Sequence, residues 1–172
     1  MPTQGRGPGL APRLVSLAVT GVLAAADLAT KSWAFAHVPD HRGQVMEILP
    51  PVLDFRLSRN PGIFMGFGGS VGWIFSITTL VMLGILLWIL WTKTLPWAWR
   101  LSVAAIASGA LGNGVDRILP PHTVRDFIDV HYGSFVWPTF NVADACICVG
   151  AFVLALGLWR APDPGKNAPD AR

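Results

Sequence analysis

The chain has 172 residues, of which 52% are hydrophobic and only 13% are charged, whereas an ordinary soluble domain carries roughly 25% charged residues. Its mean hydropathy of +0.50 is typical of a membrane protein and excludes disorder for the bulk of the chain. The net charge of +3 comes from scattered basic residues, which argues against nucleic acid as a partner. Cys146 and Cys148 lie two positions apart in an apolar run, a spacing that matches no redox or zinc motif.

Four segments approach the ~20 predominantly apolar residues that a spanning helix needs. They predict an all-α membrane protein with four transmembrane helices, at about residues 14–36, 72–91, 98–115 and 140–159. The first segment also resembles a cleaved secretory signal peptide. The rest of the chain is equally membranous, so we expect this helix to be retained. The third segment is the least hydrophobic, and its small residues favour packing against neighbouring helices.

The basic residues indicate how the chain is oriented in the membrane. With the N-terminus in the cytoplasm, the short cytoplasmic segments carry Arg6, Arg13, Lys93, Arg100, Arg160, Lys166 and Arg172. The longer outer loops then carry Arg42, Arg56, Arg59, Arg117 and Arg125. Because basic residues are denser on the cytoplasmic side, we expect both termini there. Residues 1–13 and 161–172 are rich in Pro, Gly and charge and are expected to be flexible cytoplasmic ends.

The segment between the first two helices is too long for a simple turn. It contains two short apolar-rich runs, 45–49 and 52–57, which are separated by Pro50-Pro51. Polar and apolar residues alternate in the second run. This pattern predicts a small extracytoplasmic β-sheet between helices 1 and 2, at about residues 42–68. We expect residues 14–160 to form a single domain.

Charged residues inside the predicted helices are candidates for function, because each costs at least ~2.5–3.5 kcal/mol in a bilayer. Asp27 and Lys31 lie four positions apart, on one face of the first helix. They form either an ion pair that fixes helix packing or part of a functional site, and both readings imply a polar interior. At the end of the third helix, Arg117 suits the helix dipole, whereas Asp116 does not. Asn113 shares a helical face with Asp116.

Two aspartates near the outer ends of the predicted helices are the main candidates for chemistry. Asn141 and Asp144 match an N-cap and a first-turn acid of the fourth helix, and capping alone accounts for them as well as catalysis does. Asp144 would lie roughly 5 Å below the start of its helix, and Asp126 is reached from the outer loop at a similar level. Two carboxyl groups that meet in a poorly hydrated site cannot easily both ionise. Aspartic proteases use such a pair, one carboxylate to activate water and the other to donate to the carbonyl oxygen.

Other nucleophiles have little support in the sequence. No serine stands in a G-x-S-x-G context. The four histidines are expected in loops: His37, His41, His122 and His131. Because a carboxyl pair requires neither a bound metal nor a covalent intermediate, no cofactor is expected.

Five motifs, taken in order along the chain, resemble those of the lipoprotein signal peptidase family, which is also called signal peptidase II. They are Asp27-Leu28-Ala29-Thr30-Lys31, Asn60-Pro61-Gly62, Gly109-Ala110-Leu111-Gly112-Asn113-Gly114-Val115-Asp116-Arg117, Val124-Arg125-Asp126-Phe127-Ile128 and Phe140-Asn141-Val142-Ala143-Asp144. The resemblance covers residues 14–160. It implies an intramembrane aspartic endopeptidase of the bacterial inner membrane, with its active site near the outer leaflet. Its substrates would be prolipoproteins, cut just before a diacylglyceryl-modified cysteine, and its other partners membrane lipids.

By the same resemblance, Asp126 and Asp144 are the catalytic pair. The positions that build and support the site are Asp27, Lys31, Asn60, Gly62, Gly109, Asn113, Asp116, Arg117, Asn141 and Ala143. Asn60 and Arg117 would hold the substrate backbone. Asn113 and Asn141 would orient the two carboxylates. A monomer is expected.

The sequence departs from the family pattern at two places. Ile63-Phe64-Met65 follows the Asn-x-Gly motif, where the family has a small residue and then Phe, so the shape of the substrate-facing loop is in doubt. Ser108 stands where a first glycine is common. Asp129 is an additional acid near the pair, and it or Asp116 is the alternative for the second catalytic carboxylate.

Two other functions remain open at this point. The first is a metal-dependent lipid head-group transferase, in which a divalent cation would bind Asp116, Asp126, Asp129 and Asp144. The second is a small ion-coupled carrier that would use Asp27 and Lys31 as a buried relay.

Overall fold

The fold consists of four helices and one four-stranded antiparallel sheet, seen in a computed structural model that describes residues 7–40, 45–62 and 72–160. The helices are α1 (Leu10–His37), α2 (Gly72–Thr92), α3 (Trp97–Ile118) and α4 (Val142–Trp159). The strands are β1 (Met46–Leu49), β2 (Leu53–Asn60), β3 (Val124–Tyr132) and β4 (Phe135–Val136), in the spatial order β1-β2-β3-β4. Of the flexible ends predicted at residues 1–13 and 161–172, residues 1–6 and 161–172 lie outside the described residues, as does the loop at 63–68. The prediction is wrong for residues 10–13, which form the first turn of α1.

Each predicted helix is present, within a few residues of its expected bounds. Among the described residues, α1 and α4 are long and apolar enough to cross a membrane, and α2 contains a shorter apolar stretch, Ser76–Thr92. α3 carries Arg100, Asp116 and Arg117, and it contains no such apolar stretch among the described residues. Its small residues instead suit it to close packing against the others.

α3 lies at the centre of the bundle and packs on α1, α2 and α4, whereas no Cα atoms of α2 and α4 lie within 8 Å of each other in the part of the chain that the structure describes. Glycines permit the close packing around α3. A Cβ atom on Gly109 would collide with the carbonyl oxygen of Ala143 in α4, and one on Gly112 would collide with the Asp27 carboxylate in α1. Both contacts therefore require the absence of a side chain.

Arg100 has a different environment from the cytoplasmic loop position expected for it. It lies in the first turn of α3 and is only 2% exposed. Its guanidinium donates to Ser16 Oγ at 3.0 Å, to the Leu90 carbonyl at 2.9 Å and to the Lys93 carbonyl at 2.7 Å. Arg100 thus joins the ends of three helices, because buried carbonyl and hydroxyl oxygens satisfy its charge.

The sheet takes strands from two distant segments, which corrects the prediction of a sheet built only between helices 1 and 2. β1 and β2 come from that region, but β3 and β4 come from the segment between α3 and α4. One face packs on the end of α1, where Phe55 and Phe127 form an edge-to-face pair beside Ala34 and Val38. This packing holds β3, and with it Asp126, over the helical bundle.

Candidate active site

Asn141 caps α4 through a reciprocal pair of hydrogen bonds with Asp144. The Asn141 Oδ1 atom accepts from the backbone N–H of Asp144 at 2.9 Å, and Asp144 Oδ2 accepts from the backbone N–H of Asn141 at 3.3 Å. This capping box satisfies two amide groups that a helix start leaves free. The capping reading of these residues is therefore right, and it also fixes where the Asp144 carboxyl group lies.

The same asparagine connects Asp144 to Asp126. Because the Asn141 Oδ1 atom is occupied by the cap, its amide nitrogen faces β3 and donates to Asp126 Oδ1 at 2.6 Å. Asp126 is only 2% exposed. Burial, together with the charge of Asp144, raises the pKa of the Asp126 carboxyl to about 6, despite hydrogen bonds from Asn141 and Asn60 that lower it. Asn141 thus donates to both carboxyl groups, to Asp126 from its side-chain amide and to Asp144 from its backbone N–H.

A second asparagine holds Asp144 from α3. Asn113 Nδ2 donates to Asp144 Oδ1 at 2.8 Å, and Asn113 Oδ1 accepts from Lys31 Nζ at 2.8 Å. The Lys31 ammonium can only donate, so it fixes which end of the Asn113 amide faces Asp144. Lys31 is fully buried.

Two more carboxylates balance the buried charge of Lys31. Its ammonium lies 2.7 Å from Asp27 Oδ2 and 3.2 Å from Asp116 Oδ2. The other Asp27 oxygen accepts from the backbone N–H of Ala143 at 2.8 Å. The ion-pair reading of Asp27 and Lys31 is thus right, and the pair also secures α4 one residue before Asp144.

Arg125 contacts the site through Asp116, a role that the sequence pattern does not predict. Its Nη2, Nε and backbone N–H donate to Asp116 at 2.8, 3.0 and 3.0 Å. These contacts explain an acid at the C-terminal end of α3, where the helix dipole opposes it. The available signal was the position of Arg125 directly before Asp126, but its partner is known only once β3 is placed against α3.

A cavity of about 420 Å³ extends from Asp144 into the gap between α2 and α4. Its polar end is formed by Asn113, Arg117 and Asp144, and the rest is walled largely by Met82, Ile106, Ala110 and Ile147. Asp144 therefore lies at the polar end of a cavity that is otherwise an apolar trough. Such a trough suits an apolar peptide segment with its backbone presented to the carboxyl group.

Some predicted residues lie apart from the carboxyl pair. Asp129 is bound by Arg56 at 2.9 Å, and Gly62 donates its backbone N–H to Asn60 Oδ1 at 2.9 Å. Within the described residues, no group of three or more His, Cys, Asp or Glu is arranged to hold a metal ion. The expectation of histidines in loops is corrected at two positions, because His37 ends α1 and His131 lies in β3.

The model of the family described as signal peptidase (SPase) II matches residues 19–160. The chain belongs to the signal peptidase II family. Named relatives agree with this assignment. A lipoprotein signal peptidase of Hydrogenovibrio crunogenus is 39% identical over 150 residues, covering 83% of this chain and 84% of the relative. One of Beijerinckia indica is 34% identical over 166 residues, covering 94% and 98%.

Two solved structures described as bacterial membrane enzymes share the fold. Their TM-scores are 0.75 and 0.78, each at 24% sequence identity. They cover 92% and 93% of this chain, and this chain covers 93% and 100% of theirs. The family model and the named relatives confirm the signal peptidase II resemblance drawn from the five motifs.

Proposed function

We propose that this signal peptidase II family member removes signal peptides from prolipoproteins by hydrolysis just before a diacylglyceryl-modified cysteine. Family membership and the names of the relatives support the reaction. The observation that carries the mechanism is the pair of carboxyl groups on Asp126 and Asp144, both of which accept a hydrogen bond from Asn141.

The two aspartates have different surroundings, and we assign them different roles. Asp144 lies in the first turn of α4 and accepts from Asn113 Nδ2 and from the backbone N–H of the N-cap Asn141, which suits a carboxylate that acts as base. Asp126 is buried, and its raised pKa of about 6 favours the protonated form. Asp144 takes a proton from the attacking water, while Asp126 donates its proton to the carbonyl oxygen of the scissile peptide bond.

The other residues of the five motifs support this pair. Asn60 and Arg117 would hold the substrate backbone, and Arg117 lies beside Asp144 at the polar end of the cavity. Asn113 and Asn141 orient the carboxyl groups. The remaining positions hold α1, α3, α4 and the loop after β2 in place around them: Asp27, Lys31, Asp116, Gly62, Gly109 and Ala143.

We also place all four helices of the 14–160 domain across the bacterial inner membrane, with both termini cytoplasmic and the carboxyl pair near the outer leaflet. The gap between α2 and α4 supports this placement. A substrate held in the bilayer by two acyl chains can approach Asp144 sideways through that gap without leaving the lipid. Because lipid does not tolerate exposed irregular backbone, the walls of the cavity must shield the extended substrate. The enzyme acts as a monomer.

Cleavage of a diacylglyceryl-modified prolipoprotein by purified enzyme in lipid tests the proposal. Asp126→Asn and Asp144→Asn each remove a proton-transfer group and should lower kcat by about 10²–10⁴-fold. Asp129→Asn is the matched control, because Asp129 binds Arg56 rather than the pair, and it should keep most of the activity. Near-normal cleavage by either dyad variant would refute the assignment. Loss confined to Asp129→Asn would move the second carboxylate to that residue.

A further inference from the structure

The end of the sheet away from Asp126 is apolar and exposed. The hairpin tip, defined as residues 132–137, joins β3 to β4 through Gly133 and Ser134. Its four large side chains are more than half exposed: Tyr132 79%, Phe135 59%, Val136 57% and Trp137 53%. An exposed apolar cluster of this kind on a sheet edge marks an interaction surface.

The apolar character continues across the sheet at this end. Leu49 pairs with Leu53, Leu53 pairs with Val130, and the backbone N–H of Trp137 donates to the Val130 carbonyl at 2.8 Å. The adjacent row across three strands is acidic and consists of Glu47, Asp54 and Asp129. An apolar row thus lies directly beside the acidic one, and beyond it on β3 only His131, which bonds Asp54 at 2.9 Å, precedes the hairpin tip.

The charge pattern indicates what covers this end. No Asp, Glu, Lys or Arg occurs between Asp129 and Asp144, so the hairpin tip offers no ionic contact to a protein partner. A stable protein interface takes roughly 800 Å² and 20–30 residues from each side, far more than four side chains supply. Tyr and Trp combine an apolar ring with a polar atom, and both collect where lipid headgroups meet acyl chains.

The position of the hairpin tip also favours lipid. Phe140 pairs with Ile128 in β3, and α4 begins two residues later at Val142. α4 is one of the helices apolar enough to span a membrane, and its Phe152 is 68% exposed. The hairpin tip is therefore attached by a short segment to the outer end of a lipid-facing helix.

We infer that the hairpin tip inserts into the headgroup region of the outer leaflet and anchors the sheet to the bilayer. The inference rests on the membrane placement proposed above. By anchoring one end of β3 in lipid, the hairpin tip sets the orientation of the strand that carries Asp126. Arg56, which is half exposed, and Glu47, which is exposed on β1, then stay in water.

Site-specific labelling tests this inference. Phe135→Cys is made in the full chain with Cys146→Ala and Cys148→Ala, labelled with the fluorophore NBD, and reconstituted in phosphatidylethanolamine/phosphatidylglycerol vesicles. Glu47→Cys, exposed on the edge strand β1, is the matched aqueous control. Phe152→Cys on α4 reports separately on the membrane placement. Lipids with a nitroxide at the headgroup or in the acyl chain quench the label according to its depth.

We expect the label at 135 to emit at shorter wavelength than the label at 47 and to lose most of its emission to headgroup or shallow nitroxides. The label at 152 should be quenched by deeper nitroxides. Unquenched, water-like emission at 135, with quenching at 152, would overturn the inference and leave the membrane placement intact. A label at 152 in water would overturn both. Shielding at 135 that appears only at a high protein-to-lipid ratio would show that a second copy covers the hairpin tip, against the inference.

Discussion

Opposing effects set the pKa of the Asp126 carboxyl group. Burial and the charge of Asp144 raise its pKa, while hydrogen bonds from two asparagines lower it, and the result is a pKa of about 6. Because the pKa is raised, the folded protein holds this proton more tightly than the unfolded chain does. Asp126 therefore lowers the free energy of unfolding as pH rises from 3.8 to about 6, and adds no further change above that range.

Carbon-13 NMR of aspartate carboxyl groups in the purified protein can follow this titration. We expect one resonance with an apparent pKa near 6 that is missing in Asp126→Asn. In Asp144→Asn the neighbouring negative charge is gone, so the pKa of Asp126 should fall toward its ordinary value. An unchanged titration in Asp144→Asn would show that the two carboxyl groups do not interact.

Sequence reasoning identified the polar residues of the site better than it identified their partners. Asp27, Lys31 and Asp144 were visible because a bilayer penalises charge, whatever the surrounding fold. The sequence places Arg100 in an exposed cytoplasmic segment and gives Arg125 no role in the site, because a basic residue at a helix end or in a loop usually indicates only topology. Their contacts depend on chain segments that are distant in sequence. No local pattern contains that information.

At the scale of elements, close contact between α3 and α4 sets the position of Asp144. Gly109 faces the Ala143 carbonyl and Ile147 with no room for a Cβ atom. Any side chain there pushes the first turn of α4 away from α3, and with it the Asp144 carboxyl group that Asn113 holds.

We expect Gly109→Ala to destabilise the protein by about 1–3 kcal/mol, the usual cost of overpacking, and to lower kcat more than it raises KM. Gly84→Ala is the matched control, since a Cβ on Gly84 meets nothing within 4 Å. Thermal unfolding in lipid or detergent and cleavage kinetics measure the two effects. Equal behaviour of the two variants would contradict the packing argument.

The helices were predictable and the complete sheet was not, for a physical reason. α1 and α4 contain hydrophobic runs long enough to be recognised from the local sequence, and α2 contains a shorter one. β3 is a strand because it pairs with β2, for example through Val124 and Asn60. No pattern of neighbouring residues in the sequence reveals a pairing partner that lies so far along the chain. The prediction therefore found the first half of the sheet and treated the strand with Asp126 as a loop.

At the scale of the whole molecule, the cavity is an open cleft between α2 and α4, and α3 lies at its bottom. Ala110 of α3 lines the same cavity as Asp144 and is 7% exposed. Its small side chain leaves the space that a substrate segment would occupy.

Ala110→Phe should fill this space and lower kcat/KM by about tenfold or more, which corresponds to at least about 1.4 kcal/mol of lost transition-state binding. Leu101→Phe makes a similar side chain on an exposed part of α3 outside the cavity and should have little effect. Cleavage assays at several substrate-to-lipid ratios provide the comparison. Unchanged kcat/KM in Ala110→Phe would show that substrate does not occupy this part of the cleft.

With the membrane placement proposed above, the gap between α2 and α4 lets the severed signal peptide leave sideways into lipid. It remains dissolved in the membrane after the reaction, so its concentration is counted per lipid molecule and not per volume of water. If severed signal peptides accumulate, they would occupy the cleft. The membrane area, and not the cell volume, would then set how many can accumulate before this happens. Turnover in the cell then depends on whatever second hydrolysis clears such peptides from the bilayer.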